Sequence, residues 1–125
     1  MFIDTDVLIW YMKGNQKAFR EIEKLNGFFM SVVTYMELVQ GLRNKQEMIE
    51  LRKAIRDWKA KIVVINEEIS TKAMFYVERH FLSHSLLMAD ALIASTTIVY
   101  GSQLLTANTK HYKQIKELDL KKFTL

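Results

Sequence analysis

Short apolar runs alternate with longer segments of mixed polarity along this chain, and the alternation predicts strands separated by helices. In the segment 61–65, the four residues after Lys61 are apolar and β-branched, as in a buried strand, and Asn26-Gly27 is a turn signal before the apolar run at 28–31. Strands are predicted at 1–4, 28–31, 61–65, 103–106 and, as a short edge strand, 119–124. Helices are predicted at 5–13, from an Asn15 cap to about 25, at 33–42, at 46–59, from Asn66 towards 81, and from a Ser85 cap to Gly101.

This order of elements predicts an α/β fold. Strands that alternate with helices form right-handed crossovers, so we expect a central, mainly parallel sheet of four to five strands flanked by helices on both faces. No proline and no long glycine- or serine-rich linker divides the chain, which predicts one domain over residues 1–125. Sites in such sheets form outside the carboxyl ends of the strands. Asp4 lies at that end of the first strand and Thr106 at that end of the fourth.

Three isolated acids interrupt apolar elements. Asp90 stands alone within the apolar run 86–94, Asp4 ends the opening apolar stretch, and Glu37 interrupts the run 32–39. A buried charge is costly unless it is paired or binds a metal. A hard divalent ion such as Mg²⁺ or Mn²⁺ relieves the repulsion between clustered carboxylates, and it also activates water and orients a phosphodiester. The three acids are therefore candidate ligands of one site assembled by folding.

Each acid also has a structural alternative. Asp4 is well placed to cap the first helix, and Glu37 is a candidate partner for a buried lysine or arginine. Asp6 lies within the first helical turn, where it is expected to accept hydrogen bonds from backbone N–H groups or to support a ligand. Asp90 has the weakest alternative, because no basic residue lies within one helical turn of it.

Charge and composition narrow the class of protein. The formal net charge is +4, with seven basic and three acidic residues at 43–61, and five lysines and two acids at 110–122. Basic surface around an acidic site suits a polyanion, although a solvated helix face is the simpler explanation of each patch. The absence of cysteine excludes disulfides and suits a reducing cytoplasm. No apolar run reaches membrane-spanning length and no signal peptide is visible, so we expect a soluble cytoplasmic protein.

The segment Asp4-Thr5-Asp6-Val7 offers a competing enzyme class. It matches the D-x-D-x-[T/V] pattern of haloacid-dehalogenase-type phosphatases, in which the first aspartate is a nucleophile and the second an acid/base. The chain lacks the Gly-Asp-containing acidic motif that those enzymes use to hold Mg²⁺. That scheme also leaves Glu37 without a role.

Four segments together resemble the PIN domain family, and within it the VapC-type toxins of toxin–antitoxin pairs. They are FIDTDVLI at 2–9, SVVTYMELVQGL at 31–42, MADALIA at 88–94 and LLTANTKHY at 104–112, and the resemblance covers essentially the whole chain. It implies that Asp4, Glu37 and Asp90 are catalytic acids that bind Mg²⁺ or Mn²⁺, with Thr106 beside them. Asp6 stands where the family usually has asparagine, and Asn108 and His111 stand where a fourth acid is common. Asn108 is then expected to support the site, either by offering its carbonyl oxygen or by holding a metal-bound water.

The resemblance also implies a function. Family members of this type are metal-dependent ribonucleases, commonly dimeric, that are held inactive by a VapB-type antitoxin. We therefore expect an endoribonuclease toxin that hydrolyses RNA phosphodiesters through metal-activated water. The alternative is a catalytically weak or inactive domain that binds RNA or an antitoxin. Candidate phosphate contacts are Arg43, Lys45, Lys110 and Lys113.

Overall fold

Five strands and seven helices build the protein, and they are described by a computed structural model that covers all 125 residues, Met1–Leu125. The strands are β1 (Phe2–Ile3), β2 (Phe28–Ser31), β3 (Ala60–Val63), β4 (Gln103–Thr106) and β5 (Asp119–Lys122). The helices are α1 (Thr5–Met12), α2 (Gln16–Glu23), α3 (Val32–Gln40), α4 (Lys45–Asp57), α5 (Glu67–His84), α6 (Met88–Val99) and α7 (Thr109–Tyr112).

All five strands form one parallel sheet in the order β3-β2-β1-β4-β5, which confirms the predicted fold class. The chain adds β2 and β3 on one side of β1 and then crosses to add β4 and β5 on the other side. The connection therefore changes direction between β1 and β4, and the carboxyl ends of such a strand pair frame a crevice. Asp4 and Thr106 lie at this crevice, as the sequence predicted.

Successive residues of the central strands face opposite sides of the sheet, as the pleat requires. Phe2 and Leu104 belong to one buried cluster, which is packed by α5 and α6, whereas Ile3 and Leu105 belong to a second, which is packed by α1, α2 and α4. Helices on both faces explain why β1 and β4 contain apolar residues at consecutive positions.

Several helix ends follow the predicted caps. Asn15 and Asn66 cap α2 and α5 through side-chain oxygens that accept from backbone N–H groups, at 2.9 Å in both cases. Asn26 and Gly27 form the predicted turn before β2, with positive φ angles of 48° and 105°. Gly101 follows α6 with φ +60°, as expected for a residue that ends a helix.

Ser85 does not cap α6, which corrects the prediction. Helix α5 continues to His84, and Ser85 ends it in the left-handed conformation, with φ 54° and ψ 35°. The N-cap of α6 is Leu87, whose side chain makes no capping hydrogen bond. The turn between α5 and α6 is so short that Ser85 is needed to stop the first helix and cannot also begin the second. The short helix α7 was not predicted.

Candidate active site

Asp4 lies at the centre of the site, immediately after β1. It is the N-cap of α1, where its Oδ1 accepts from the Thr5 backbone N–H at 2.8 Å. Its Oδ2 accepts from the Thr106 hydroxyl at 2.8 Å and from the Tyr112 hydroxyl at 3.0 Å. Only 6% of Asp4 is exposed, so these three donors fix the orientation of a carboxylate that water barely reaches. The capping role considered for Asp4 is thus real, and it leaves Oδ2 facing the other site residues.

Glu37 reaches the site from α3. Its Oε1 accepts from the Thr5 hydroxyl at 2.6 Å, and the Thr34 hydroxyl lies 3.1 Å from that of Thr5. The single proton of Thr5 goes to the carboxylate, because the carboxylate only accepts, so the Thr34 hydroxyl donates to Thr5. Thr34 and Glu37 are three positions apart on one helix, which places them on the same face. No lysine or arginine pairs with Glu37, so the structural alternative considered for this residue, an ion pair with a buried base, does not occur.

Asp90 lies in the first turn of α6 and is half-buried rather than enclosed. Its Oδ1 is 3.5 Å from the Tyr112 hydroxyl oxygen, and its Oδ2 is 3.7 Å from Nδ1 of His111. The helix dipole favours a negative charge at this end of α6. Tyr112 therefore stands between Asp4 and Asp90, and the structure brings all three predicted acids to one side of the crevice.

Asp6 and Asn108 hold the frame of the site. Asp6 accepts from the Val7 N–H at 2.8 Å and from the Ala107 N–H at 3.1 Å, which ties α1 to the turn after β4. Hydrogen bonding to backbone N–H groups was one of the roles expected for Asp6. Asn108 is exposed, its side chain makes no capping bond to α7, and its N–H donates to the Thr106 hydroxyl at 3.0 Å.

Burial and mutual repulsion raise the pKa values of three acids at the site. Burial, followed by the charge of Asp6, raises the pKa of Asp4 from 3.8 to about 6, even though three hydrogen bonds oppose this. Burial also raises the pKa of Asp6. The pKa of Asp90 is raised by burial, then by the charge of Asp4 and, more weakly, by that of Glu37. Carboxylates that raise one another's pKa are close enough to repel, and they favour a positive charge among them.

The donor types match a divalent cation. Carboxylate oxygens are the ligands that Mg²⁺ and Mn²⁺ prefer, and Asp4, Glu37 and Asp90 supply six of them. No three acidic or histidine side chains are gathered closely enough to form a finished ligand set. Glu37 and Asp90 are both half-buried, whereas Asp4 is almost fully buried and held by three donors.

The four predicted phosphate contacts are exposed and lie in two groups. Arg43 and Lys45 are at the start of α4, and Arg43 pairs with Glu47 at 2.8 Å. Arg43 also lines a groove of about 410 Å³ together with Glu37, where the exposed Ile9 and Met12 of α1 contribute apolar surface. Lys110 lies in α7 and Lys113 directly follows it.

Sequence reasoning assigned no role to Tyr112, Thr5 or Thr34. Tyr112 is 1% exposed and is followed by buried Ile115 and Leu118, so its spacing is that of an ordinary core residue. The position of Thr5 beside Asp4 and the i,i+3 spacing of Thr34 and Glu37 were the available signals. Neither reveals a contact between α1 and α3, because that contact depends on how the helices pack.

Comparison with known proteins agrees with this architecture. The family model described as "PIN domain" matches residues 1–118. The chain belongs to the PIN domain family. The phosphatase alternative drawn from Asp4 and Asp6 is thereby set aside.

Relatives of this PIN domain include "Ribonuclease VapC1" of Methanocaldococcus jannaschii, which is 34% identical over 97% of this chain and 85% of that protein. A solved structure of VapBC-1 from nontypeable Haemophilus influenzae superposes with a TM-score of 0.79 at 22% identity, covering 97% of this chain and 96% of the other. VapBC2 from Rickettsia felis, bound to a DNA fragment from its promoter, gives a TM-score of 0.78 at 21% identity and covers 98% of both chains. At these identities the two structures establish the fold.

None of the seven helices is both long enough and apolar enough to cross a membrane.

Proposed function

We propose that this PIN domain is a divalent-metal-dependent endoribonuclease and the toxin of a VapBC-type toxin–antitoxin pair. The observation that carries the proposal is the convergence of Asp4, Glu37 and Asp90 from three separate elements on the crevice between β1 and β4. The 34% identity to a protein named Ribonuclease VapC1 supports RNA as the substrate. Hydrolysis is expected to leave 5′-phosphate and 3′-hydroxyl ends.

Asp4, Glu37 and Asp90 are the proposed ligands of Mg²⁺ or Mn²⁺. A divalent ion, when bound, supplies charge that activates water and neutralises the phosphodiester. Asp4 is the fixed member of the set, because Thr5, Thr106 and Tyr112 donate to it. Each carboxylate oxygen has two lone pairs, so Oδ1 of Asp4, which accepts only from the Thr5 N–H, retains a pair for a cation, whereas Oδ2 already accepts two hydrogen bonds.

Asp6, Thr106 and Asn108 are proposed as supporting residues. The Thr106 hydroxyl accepts from the Asn108 N–H and donates to Asp4. It therefore links the turn after β4 to the Asp4 carboxylate. Asp6 holds the same turn through the Ala107 N–H. The exposed side chain of Asn108 makes no capping bond, so it is free to support the site through its carbonyl oxygen or by holding a water.

The groove beside Glu37 supports an antitoxin partner. It combines exposed apolar surface from Ile9 and Met12 with the charged side chains of Lys13, Arg43 and Glu50. A segment of antitoxin lying in this groove would cover Glu37 and so block the acids. The VapBC complexes among the structural neighbours support this partner. A homodimer and a cytoplasmic location remain predictions. The cytoplasm is the expected location because it is a reducing compartment rich in RNA, the proposed substrate.

Cleavage of a mixed RNA pool by purified protein tests the proposal directly. We expect cutting with Mg²⁺ or Mn²⁺, none with EDTA, and none by Asp4→Asn. The matched control is Asp57→Asn, which removes an exposed carboxylate at the end of α4. Cutting that persists in EDTA or in Asp4→Asn would refute the proposed chemistry.

One observation favours a second candidate function, an RNA- or antitoxin-binding module without catalysis. Asn108 and His111 occupy the positions where a fourth acid is common, and the three acids do not form a finished ligand set. Calorimetric titration with Mn²⁺ separates the two functions. The nuclease is expected to bind Mn²⁺ in a manner that Asp90→Asn weakens, whereas the binding module shows little heat in either protein.

A further inference from the structure

A cleft between α2 and β5 carries an unbalanced positive charge. It has a volume of about 360 Å³, and five of its eight lining residues are basic. Its single acid is Glu21, and its floor includes the buried Phe123. The basic residues of this α2–β5 cleft are all exposed and comprise Lys17, Arg20, Lys24, Lys121 and Lys122.

Helix geometry gathers the charges of α2. Positions 17, 20, 21 and 24 are separated by three or four residues, so they share one face, while Ala18 and Ile22 bury the other. The stripe from Lys17 to Lys24 extends for about 10 Å along the helix. It is therefore long enough to follow an extended anion, whereas a single small ion would occupy only part of it.

Most of this charge is uncompensated. Glu21 is shared between Lys24, at 3.6 Å, and Lys121, at 3.9 Å. Lys17, Arg20 and Lys122 have no carboxylate oxygen within 4.0 Å. Neighbouring cations without partners repel one another, and a polyanion relieves that repulsion while releasing its own counterions.

The cleft is connected to the candidate active site through one strand. Lys122 pairs in register with Thr106, and the Phe123 N–H donates to the Thr106 carbonyl at 2.8 Å. The hydroxyl of the same Thr106 donates to Asp4. Since β5 lies beside β4 and two strands from β1, the cleft is at the β5 edge of the sheet, whereas Glu37 follows β2 on the other side of β1.

We infer that the α2–β5 cleft binds the phosphate backbone of the RNA strand as it leaves the acidic site. The choice of RNA rests on the proposed function; the polyanion site itself rests on the charges and their placement. The basic residues of the cleft lie at the β5 edge of the sheet, whereas Arg43 and Lys45 precede β3, which forms the other edge. The strand is thus held on both sides of the bond that is cut, and Lys17 and Arg20 are sequence-independent backbone contacts.

Fluorescence anisotropy with a labelled, single-stranded, mixed-sequence RNA in EDTA measures this binding without cleavage. The test variant is Lys17→Ala/Arg20→Ala, and the control is Arg79→Ala/Lys116→Ala, which removes the same charge from another cleft, lined by Tyr76 and Glu117. We expect the test variant to bind roughly 5- to 10-fold more weakly than the control. Its plot of log affinity against log salt should be shallower by about 1.4, because each lost single-strand phosphate contact removes about 0.7.

A third variant moves the affinity in the opposite direction. Glu21→Gln frees Lys24 and Lys121 from their shared acid, so we expect it to bind RNA more tightly than the unaltered protein. Equal binding by the test and control doubles, or no gain in Glu21→Gln, would overturn the inference. RNA binding is measured without metal, so it is independent of catalysis. If the unaltered protein showed no cleavage in Mg²⁺, that would count against the proposed nuclease but not against RNA binding by the cleft.

Discussion

The Tyr112 hydroxyl donates to Oδ2 of Asp4 at 3.0 Å and lies 3.5 Å from Oδ1 of Asp90. A single phenol, 1% exposed, thus stands between two carboxylates that repel one another. Burial, together with the charges of Asp4 and Asp90, raises the pKa of Tyr112 far above its usual value, so the group keeps its proton and remains a donor. Tyr112 therefore fixes the spacing of the two acids.

Tyr112→Phe removes this donor while keeping the buried ring. We expect RNA cleavage to fall by roughly tenfold, because a hydrogen bond to a charged group contributes about 1.5 kcal/mol or more. Weaker Mn²⁺ binding by calorimetry should accompany the loss, which a general loss of stability would not explain. Tyr100→Phe is the matched control, since that ring is half exposed. Equal activity in the two variants would show that Tyr112 only fills the core.

Asp90→Asn tests the acid that the sequence singled out first. We expect cleavage to fall below detection while the fold remains intact, because the residue is half-buried in the first turn of α6 and an amide fits the same space. Circular dichroism and thermal unfolding check the fold alongside the RNA assay. Full activity in a well-folded Asp90→Asn protein would remove Asp90 from the mechanism.

Thr5→Val tests the contact that positions Glu37. The substitution keeps the shape of Thr5 but removes the hydroxyl that donates to Glu37 at 2.6 Å. Residues that orient metal ligands typically affect metal affinity or activity by about 10- to 100-fold, and we expect a Mn²⁺ affinity loss within that range. Thr71→Val on the exposed face of α5 is the control. Unchanged Mn²⁺ affinity in Thr5→Val would argue against Glu37 as a ligand held by Thr5.

The metal-free protein should lose stability as the pH rises. The pKa of Asp4 is raised from 3.8 to about 6 in the folded state, so folding favours the protonated acid. The stabilisation is fully present below pH 3.8 and is lost as the pH rises through about 6. A difference of this size corresponds to at most about 3 kcal/mol in the free energy of unfolding.

Urea unfolding in EDTA at about pH 4 and about pH 7.5 measures the effect against the Asp4→Asn variant. The variant lacks the ionisable group, so its stability relative to the unaltered protein should improve at the higher pH. Carboxylates away from Asp4 titrate in both proteins and cancel in the comparison, whereas Asp90 no longer has its pKa raised by the charge of Asp4 in the variant. A difference that does not change with pH would mean that Asp4 ionises without cost in the folded protein.

Sequence patterns predicted the frame of this protein well. The strands and most helices follow apolar runs and local caps, and Asp4 and Thr106 come together because parallel strands share one carboxyl edge. The predicted role of Ser85 was wrong because a serine is typical both of helix starts and of turns. The packing of α5 against α6 decides between the two. Tyr112 and Thr5 were missed for a related reason, since their partners lie far away in sequence and on other elements.

Two of the three residues that hold Asp4 in place, Thr106 and Tyr112, are the last parts of the site to be synthesised. Thr106 and Tyr112 follow Asp4 by 102 and 108 positions, and β4 lies between β1 and β5 in the finished sheet. A chain still emerging from the ribosome carries Asp4 and Glu37 long before it carries Thr106 and Tyr112, two of the three donors that orient Asp4. We therefore expect nascent and prematurely terminated chains to lack a fully oriented Asp4, so that RNA cleavage begins only after the chain has been synthesised through Tyr112.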